Sequence, residues 1–194
     1  MRILLLAFSI FLAIGLNGQK VSTLSVGDTA PLFEGKDQNE KLVSLSKSLE
    51  KSESTVLIFY RGSWCPYCEK HMAELQESLQ EILDKGSSVI VVTPEKAESI
   101  EKMISKTEAT FSIIHDEEYK IMDAYDLSFK IDKETVPRFY KFVLNATREA
   151  NENEEDILPI PATYVIGKDG KIKFLHFDED YRNRSSMEEI ITNL

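Results

Sequence analysis

The chain has only two cysteines among its 194 residues, and both lie in one short stretch, Trp64-Cys65-Pro66-Tyr67-Cys68. With no others present, a disulfide within the chain closes a loop too short for a purely structural cross-link to gain much, because that gain grows with loop length. Histidine is equally sparse. His71, His115 and His176 are scattered, which leaves no second Cys or His pair at the spacing of a zinc site. Basic charge is short as well: 23 Lys and Arg face 33 Asp and Glu, a formal charge of -10, which argues against nucleic acid or an anionic membrane as partner. Apart from Ile3 to Leu16 no long apolar run occurs, and that one is shorter than the ~20 residues of a typical membrane-spanning helix. No repeat and no linker divides the chain.

What is present begins with Met1-Arg2, a positive start, followed by the apolar run and then by Gly15, Asn17 and Gly18 before charge resumes at Lys20. This pattern predicts a secretory signal peptide over residues 1–18. The leader lacks a cysteine for lipid attachment, so no stable membrane anchor is expected. The remaining residues, 19–194, fit one domain with a sizeable core. Such a protein would work outside the cytoplasmic membrane, in the periplasm, where disulfides persist.

The two cysteines follow the apolar run Val56-Leu57-Ile58-Phe59-Tyr60, which reads as a buried strand, and precede Met72, Leu75, Leu79, Ile82 and Leu83 at helical spacing. Cys65 therefore falls at a strand-to-helix junction. Unpaired N–H groups and the positive end of the helix dipole favour a thiolate there, and the thiolate is the reactive form. Pro66 suits the first helical position, where its missing N–H is harmless. Cys65 is accordingly the expected nucleophile and Cys68 its resolving partner. Arg61 and Lys70 are candidates for stabilising the Cys65 thiolate. Trp64 and Tyr67 are expected to bracket the dithiol. His71, three residues beyond Cys68, could assist proton transfer, although a solvent-facing position is the expectation.

Strands are predicted at Val56 to Tyr60, Val89 to Val92, Phe111 to Ile114, Thr163 to Ile166 and Ile172 to His176. Helices are predicted at Tyr67 to Lys85, Lys96 to Thr107, Glu117 to Tyr125, Val136 to Glu149 and Ser185 to Thr192. Their alternation predicts an α/β fold with a largely parallel first half. Asp169-Gly170 supplies turn chemistry for a closing antiparallel hairpin. A βαβ unit followed by a hairpin and a last helix is the thioredoxin-like order, a mixed central sheet flanked by helices. Lys130 to Pro159 shows no strand character, and the acids from Glu149 to Asp156 read as a solvated loop.

Several segments together resemble the peroxiredoxin-like branch of the AhpC/TSA proteins. They are Val26-Gly27-Asp28-Thr29-Ala30-Pro31-Leu32-Phe33 with Val43-Ser44-Leu45, then Phe59 to Cys68, then Leu158-Pro159-Ile160-Pro161-Ala162-Thr163-Tyr164-Val165-Ile166. Asp178 to Arg184 is similar to the tail of the same branch. For Arg182 and Arg184 the simpler expectation is surface pairing at a helix start. The resemblance implies a thiol-dependent oxidoreductase that needs no cofactor or metal. It would reduce a hydroperoxide through Cys65, resolve with Cys68, and be recharged by a thioredoxin-like or other dithiol reductant. It also implies a cis peptide at Ile160-Pro161 facing the dithiol, with Pro161 positioning substrate.

Two positions depart from the branch. The proline and the Thr or Ser that peroxiredoxins carry seven and three residues before the reactive cysteine are Ile58 and Gly62 here. The acid that many thioredoxins bury six residues before theirs is Phe59, so proton handling must come from elsewhere. Thiol-disulfide exchange on a disulfide substrate is the alternative chemistry. A Cu(I) carrier is a further one, because thiolates suit Cu(I).

Overall fold

The computed structural model describes residues 24–131, 140–152 and 154–194. The predicted signal peptide and the first residues of the predicted helix Val136 to Glu149 lie outside them.

Strand β1 (Glu34–Lys36) pairs with β2 (Leu42–Ser44), and Ser44 caps helix α1 (Leu45–Lys51) by accepting from the Lys47 N–H. Strand β3 (Ser54–Phe59) is buried along its whole length and leads through a short loop into α2 (Pro66–Asp84). Strand β4 (Ser87–Thr93), helix α3 (Ala97–Thr107) and strand β5 (Ser112–His115) complete the parallel half. A 3-10 turn at Glu117–Tyr119 and helix α4 (Lys120–Ala124) follow, then β6 (Ser128–Lys130), α5 (Tyr140–Asn151) and β7 (Ile157–Pro159). Strands β8 (Ala162–Gly167) and β9 (Ile172–Phe177) form the closing hairpin ahead of α6 (Met187–Thr192).

The main sheet runs β5-β4-β3-β8-β9, with β8 antiparallel to both β3 and β9. Gly170, at φ +76°, turns the hairpin as the Asp-Gly pair predicts. Alternate residues of the central strands feed two cores. Val56, Ile58, Val89 and Val91 meet Met72, Leu75 and Ile82 of α2 together with Ile100 and Met103 of α3. On the other face Leu57, Phe59, Ile90 and Val92 meet Leu45, Leu49, Tyr125 and Tyr164. Each such side chain taken from water contributes roughly 1.5–3 kcal/mol, so both ends of the β3–α2 connection are anchored. Leu83 departs from the predicted apolar stripe and faces solvent.

Three expectations are corrected. First, Lys130 to Pro159 does contain a strand: β7 pairs with β6, Ser128 opposite Pro159. A three-residue edge ladder is too short to leave an alternating pattern. Second, Asp156 is fully buried, gripped by Arg148 through Nε and Nη2 at 2.6 and 2.9 Å, rather than solvated with its acidic neighbours. Third, the Ile160-Pro161 bond is trans, because no cis peptide occurs among the described residues. The Ile160 N–H donates to the Leu127 carbonyl at 2.8 Å as the chain passes extended from β7 to β8, and a trans link continues that path.

Candidate active site

Cys65 is the N-cap of α2, with extended backbone, φ -94° and ψ 113°, and Pro66 takes the first helical position. The Cys65 carbonyl accepts from the N–H groups of Cys68 and Glu69, both at 3.0 Å, and its own N–H donates to the Gly62 carbonyl at 3.1 Å. The two cysteines are not joined in a disulfide, and both residues are buried, Cys65 at 1% exposure. The Cys68 thiol donates a hydrogen bond to the Cys65 sulfur, and this bond more than anything else brings Cys65 down to about 6. The Cys68 amide and the charges of Arg61 and Arg184 act in the same direction against the effect of burial. Burial, with the same hydrogen bond, pushes Cys68 well up. The pair is therefore polarised, with an ionised outer sulfur and a protonated inner one.

Arg61 is buried, and its guanidinium lies 4.1 Å from the centre of the Tyr181 ring and 5.2 Å from that of Trp64. Lys70 is instead remote in function from the dithiol: it pairs with Glu74 on the exposed face of α2 at 3.6 Å. Trp64 is half-buried and packs on the core, while Tyr67 is 41% exposed and meets Tyr181 edge to face at 5.6 Å. Ile160 and Pro161 line the same cavity as Arg61 and Tyr181. The glycine at 62 has a local cause, since a Cβ there would fall on the Trp64 indole, 2.8 Å from Cδ1 and 2.9 Å from Cε2. The space that a Thr or Ser would occupy is filled by this ring.

The tail from Asp178 carries more of the site than expected. Arg182 does pair at the surface, with Asp180 at 2.6 Å. Arg184 does not: its Nη2 donates to the Cys68 sulfur at 3.3 Å. The next residue, Ser185, accepts from His71 Nε2 through its carbonyl at 3.1 Å and donates its hydroxyl to Thr163 of β8 at 2.9 Å. His71 is thus buried rather than solvent-facing, and desolvation, with help from Arg184, lowers it to about 4. A carbonyl can only accept, so Nε2 carries the hydrogen and the buried, unpartnered Nδ1 is left with a lone pair.

Sequence reasoning missed Glu95. This carboxylate sits just past the end of β4, fully buried, and accepts from Tyr60 Oη at 3.0 Å, the Ser63 N–H at 2.7 Å and the Ser63 hydroxyl at 2.8 Å. Burial raises its carboxyl and, with the charge of Glu95, raises Tyr60 well above the ordinary range. Glu95 is the buried acid that Phe59 cannot be, and it braces the loop holding Trp64 and Cys65. An acid directly after an apolar strand, at the carboxyl end of a parallel sheet where sites assemble, was the available signal. Among the described residues no group of three or more His, Cys, Asp and Glu is placed to hold a metal ion.

A dithiol at the β3–α2 junction, on a sheet of this order, defines a thioredoxin-fold protein. A mutant of PrxQ from Xylella fastidiosa superimposes with a TM-score of 0.67 over 89% of this chain and 96% of that one, at 17% identity. The sequence profile of the AhpC/TSA family matches residues 26–175, and the chain belongs to that family. It is 28% identical over 150 residues to peroxiredoxin Bcp of Bacillus subtilis, covering 77% of this chain and 83% of the relative. It is also 27% identical over 104 residues to the thiol-disulfide oxidoreductase ResA of Oceanobacillus iheyensis, covering 53% and 54%. The chain spans 66%, 54% and 44% of the length of three of the curated relatives it matches.

Proposed function

We propose that this protein is a thiol-dependent peroxidase working outside the cytoplasmic membrane. The Cys65 thiolate attacks the outer oxygen of a hydroperoxide: an S–O bond forms, the O–O bond breaks, and the departing alkoxide takes up a proton to become an alcohol. Cys68 then attacks the Cys65 sulfenic acid. The S–S bond forms, hydroxide leaves, and the proton released by Cys68 completes a water molecule. An external dithiol, thioredoxin-like in chemistry, supplies the two electrons and two protons that restore both thiols while it becomes a disulfide.

The observation that favours a small oxidant is the 1% exposure of Cys65. Exchange with a folded protein's disulfide needs in-line access to the attacking sulfur, and a peroxide needs far less room. Arg61, buried beside the dithiol, supplies positive charge where the departing oxygen develops a negative one. The extracytoplasmic setting rests on the leader sequence. Disulfide exchange is the second reading, favoured by Gly62, where the indole of Trp64 fills the space of the peroxiredoxin Thr or Ser. Stopped-flow oxidation of the reduced protein, followed through the single Trp64, separates the two. The peroxidase account expects hydrogen peroxide to react at least a hundredfold faster than with free cysteine. Peroxide oxidation no faster than free thiol, alongside rapid exchange with a disulfide, would overturn it.

A further inference from the structure

Cys68 has to give up its proton before it can attack, whatever group Cys65 carries, and its surroundings make that difficult. It is fully buried, and burial with its hydrogen bond to Cys65 holds the thiol well above the ordinary range. Arg184 stabilises the thiolate from 3.3 Å through Nη2, but a guanidinium offers no acceptor and cannot take the proton. Glu95, the buried acid that feels the charge of Cys68, already accepts three hydrogen bonds. His71 stands differently. It follows Cys68 by three residues on α2, so the two share a helix face, with Cβ atoms about 5–6 Å apart at such spacing. Its Nε2–H is committed to the carbonyl of Ser185, the residue after Arg184, so neighbouring tail residues engage the histidine and the cysteine. That leaves Nδ1, a buried lone pair with no partner. A polar atom buried in this way costs stability, and packing alone gives no reason for it.

We propose that His71 Nδ1 is the base that takes the proton from Cys68 as Cys68 attacks Cys65. The Cys68 S–H bond breaks, Nδ1 gains the proton, and the thiolate forms the S–S bond while the group on Cys65 leaves. Cys68 is oxidised in this step and the other sulfur centre is reduced. From the sulfenic acid the leaving group is hydroxide, which takes the proton from the imidazolium and departs as water. From a mixed disulfide it is a thiolate, which takes the same proton and departs as a thiol. Because His71 acts on Cys68 and not on the oxidant, its role is the same for peroxide reduction and for disulfide exchange. Burial, with the charges of Arg184 on the tail and His176 on β9, keeps the ring unprotonated at neutral pH, at about 4. His176 in turn feels Asp178 of the tail and Glu189 of α6. The imidazole is therefore always ready to accept, and the negative charge forming on Cys68 raises its proton affinity when the transfer occurs.

The test reads closure of the Cys65–Cys68 disulfide in stopped flow, as the phase of Trp64 fluorescence that does not depend on reagent concentration. Cys65 is loaded with hydrogen peroxide in one series and with methyl methanethiosulfonate in the other. His71→Gln keeps a donor for the Ser185 carbonyl and removes the base. Wild type is expected to close at a rate that is flat between pH 6 and pH 8. The variant is expected to close about a hundredfold more slowly at pH 6, the low end of what a general base contributes, and to gain about tenfold per pH unit as hydroxide replaces the imidazole. A variant that closes at the wild-type rate, or is slowed by one constant factor at every pH, overturns the proposal. So does a wild-type rate that itself climbs tenfold per pH unit, and that measurement needs no variant to fold. Loading by methyl methanethiosulfonate but not by peroxide overturns the peroxidase reading instead, and the closure rates of that series then decide the role of His71.

Discussion

Replacing Cys68 by alanine removes the thiol hydrogen bond that is the largest influence lowering Cys65. A hydrogen bond to a charged group is worth about 1.5–3 kcal/mol, and about 1.4 kcal/mol corresponds to one pH unit of acidity. Cys65 should therefore rise from about 6 by about one to two pH units. At pH 7 its thiolate fraction then falls from about nine-tenths to between about a half and a tenth, with the Cys68 amide, Arg61 and Arg184 holding the remainder. Cys68→Ser is the control, because its hydroxyl keeps a donor at the same place. The assay is the rate of alkylation by iodoacetamide from pH 4 to 10, with thiolate absorbance in the ultraviolet as a second reading of the same titration. Alanine and serine variants with equal midpoints would refute the reasoning, since the donor would then contribute nothing.

Other expectations follow from the same contacts. Gly62→Thr should displace the indole, shift Trp64 emission and destabilise the protein by about 1–3 kcal/mol in urea unfolding, as overpacking generally does. Glu95→Leu leaves the Tyr60 hydroxyl and both Ser63 donors without their acceptor, and should lower stability by about 2–4 kcal/mol, while Glu95→Gln retains part of it. Arg184→Met takes positive charge from Cys68, so the Cys65 sulfenic acid should persist longer before resolution, as seen by rapid-quench mass spectrometry, and Arg184→Lys should restore part of the rate. His71 has a folded value of about 4 against an ordinary 6.5, so between them the unfolded chain binds a proton that the native state does not. Its contribution is complete above about pH 6.5 and declines as pH falls toward 4, by about 3 kcal/mol in all, and His71→Gln should flatten that limb of the stability profile.

The strand-to-helix junction at Cys65 was legible because it rests on local rules: a buried run, a proline at the first helical position and apolar residues at helical spacing. The parallel half and the Asp169-Gly170 hairpin were legible for the same reason. Strands β6 and β7 were not, because three residues at a sheet edge are defined by their partner across 29 residues and not by their own pattern. His71 and Arg184 escaped for a related reason. The burial of His71 and the contact of Arg184 with Cys68 depend on the tail folding back over α2, and a charged or polar side chain in sequence carries no mark of what will cover it. Asp156 was hidden among acids that do face water, and only its register opposite Arg148 separates it from them.

The most direct test of the central claim is to treat the reduced Cys68→Ser protein with one equivalent of hydrogen peroxide in the presence of dimedone and map the adduct by mass spectrometry. The account predicts a sulfenic-acid adduct on Cys65 that forms faster than on free cysteine, and a Cys65–Cys68 disulfide without adduct in wild type. An unlabelled Cys65, or an adduct that appears on Cys68 in Cys65→Ser at the same rate, would contradict it.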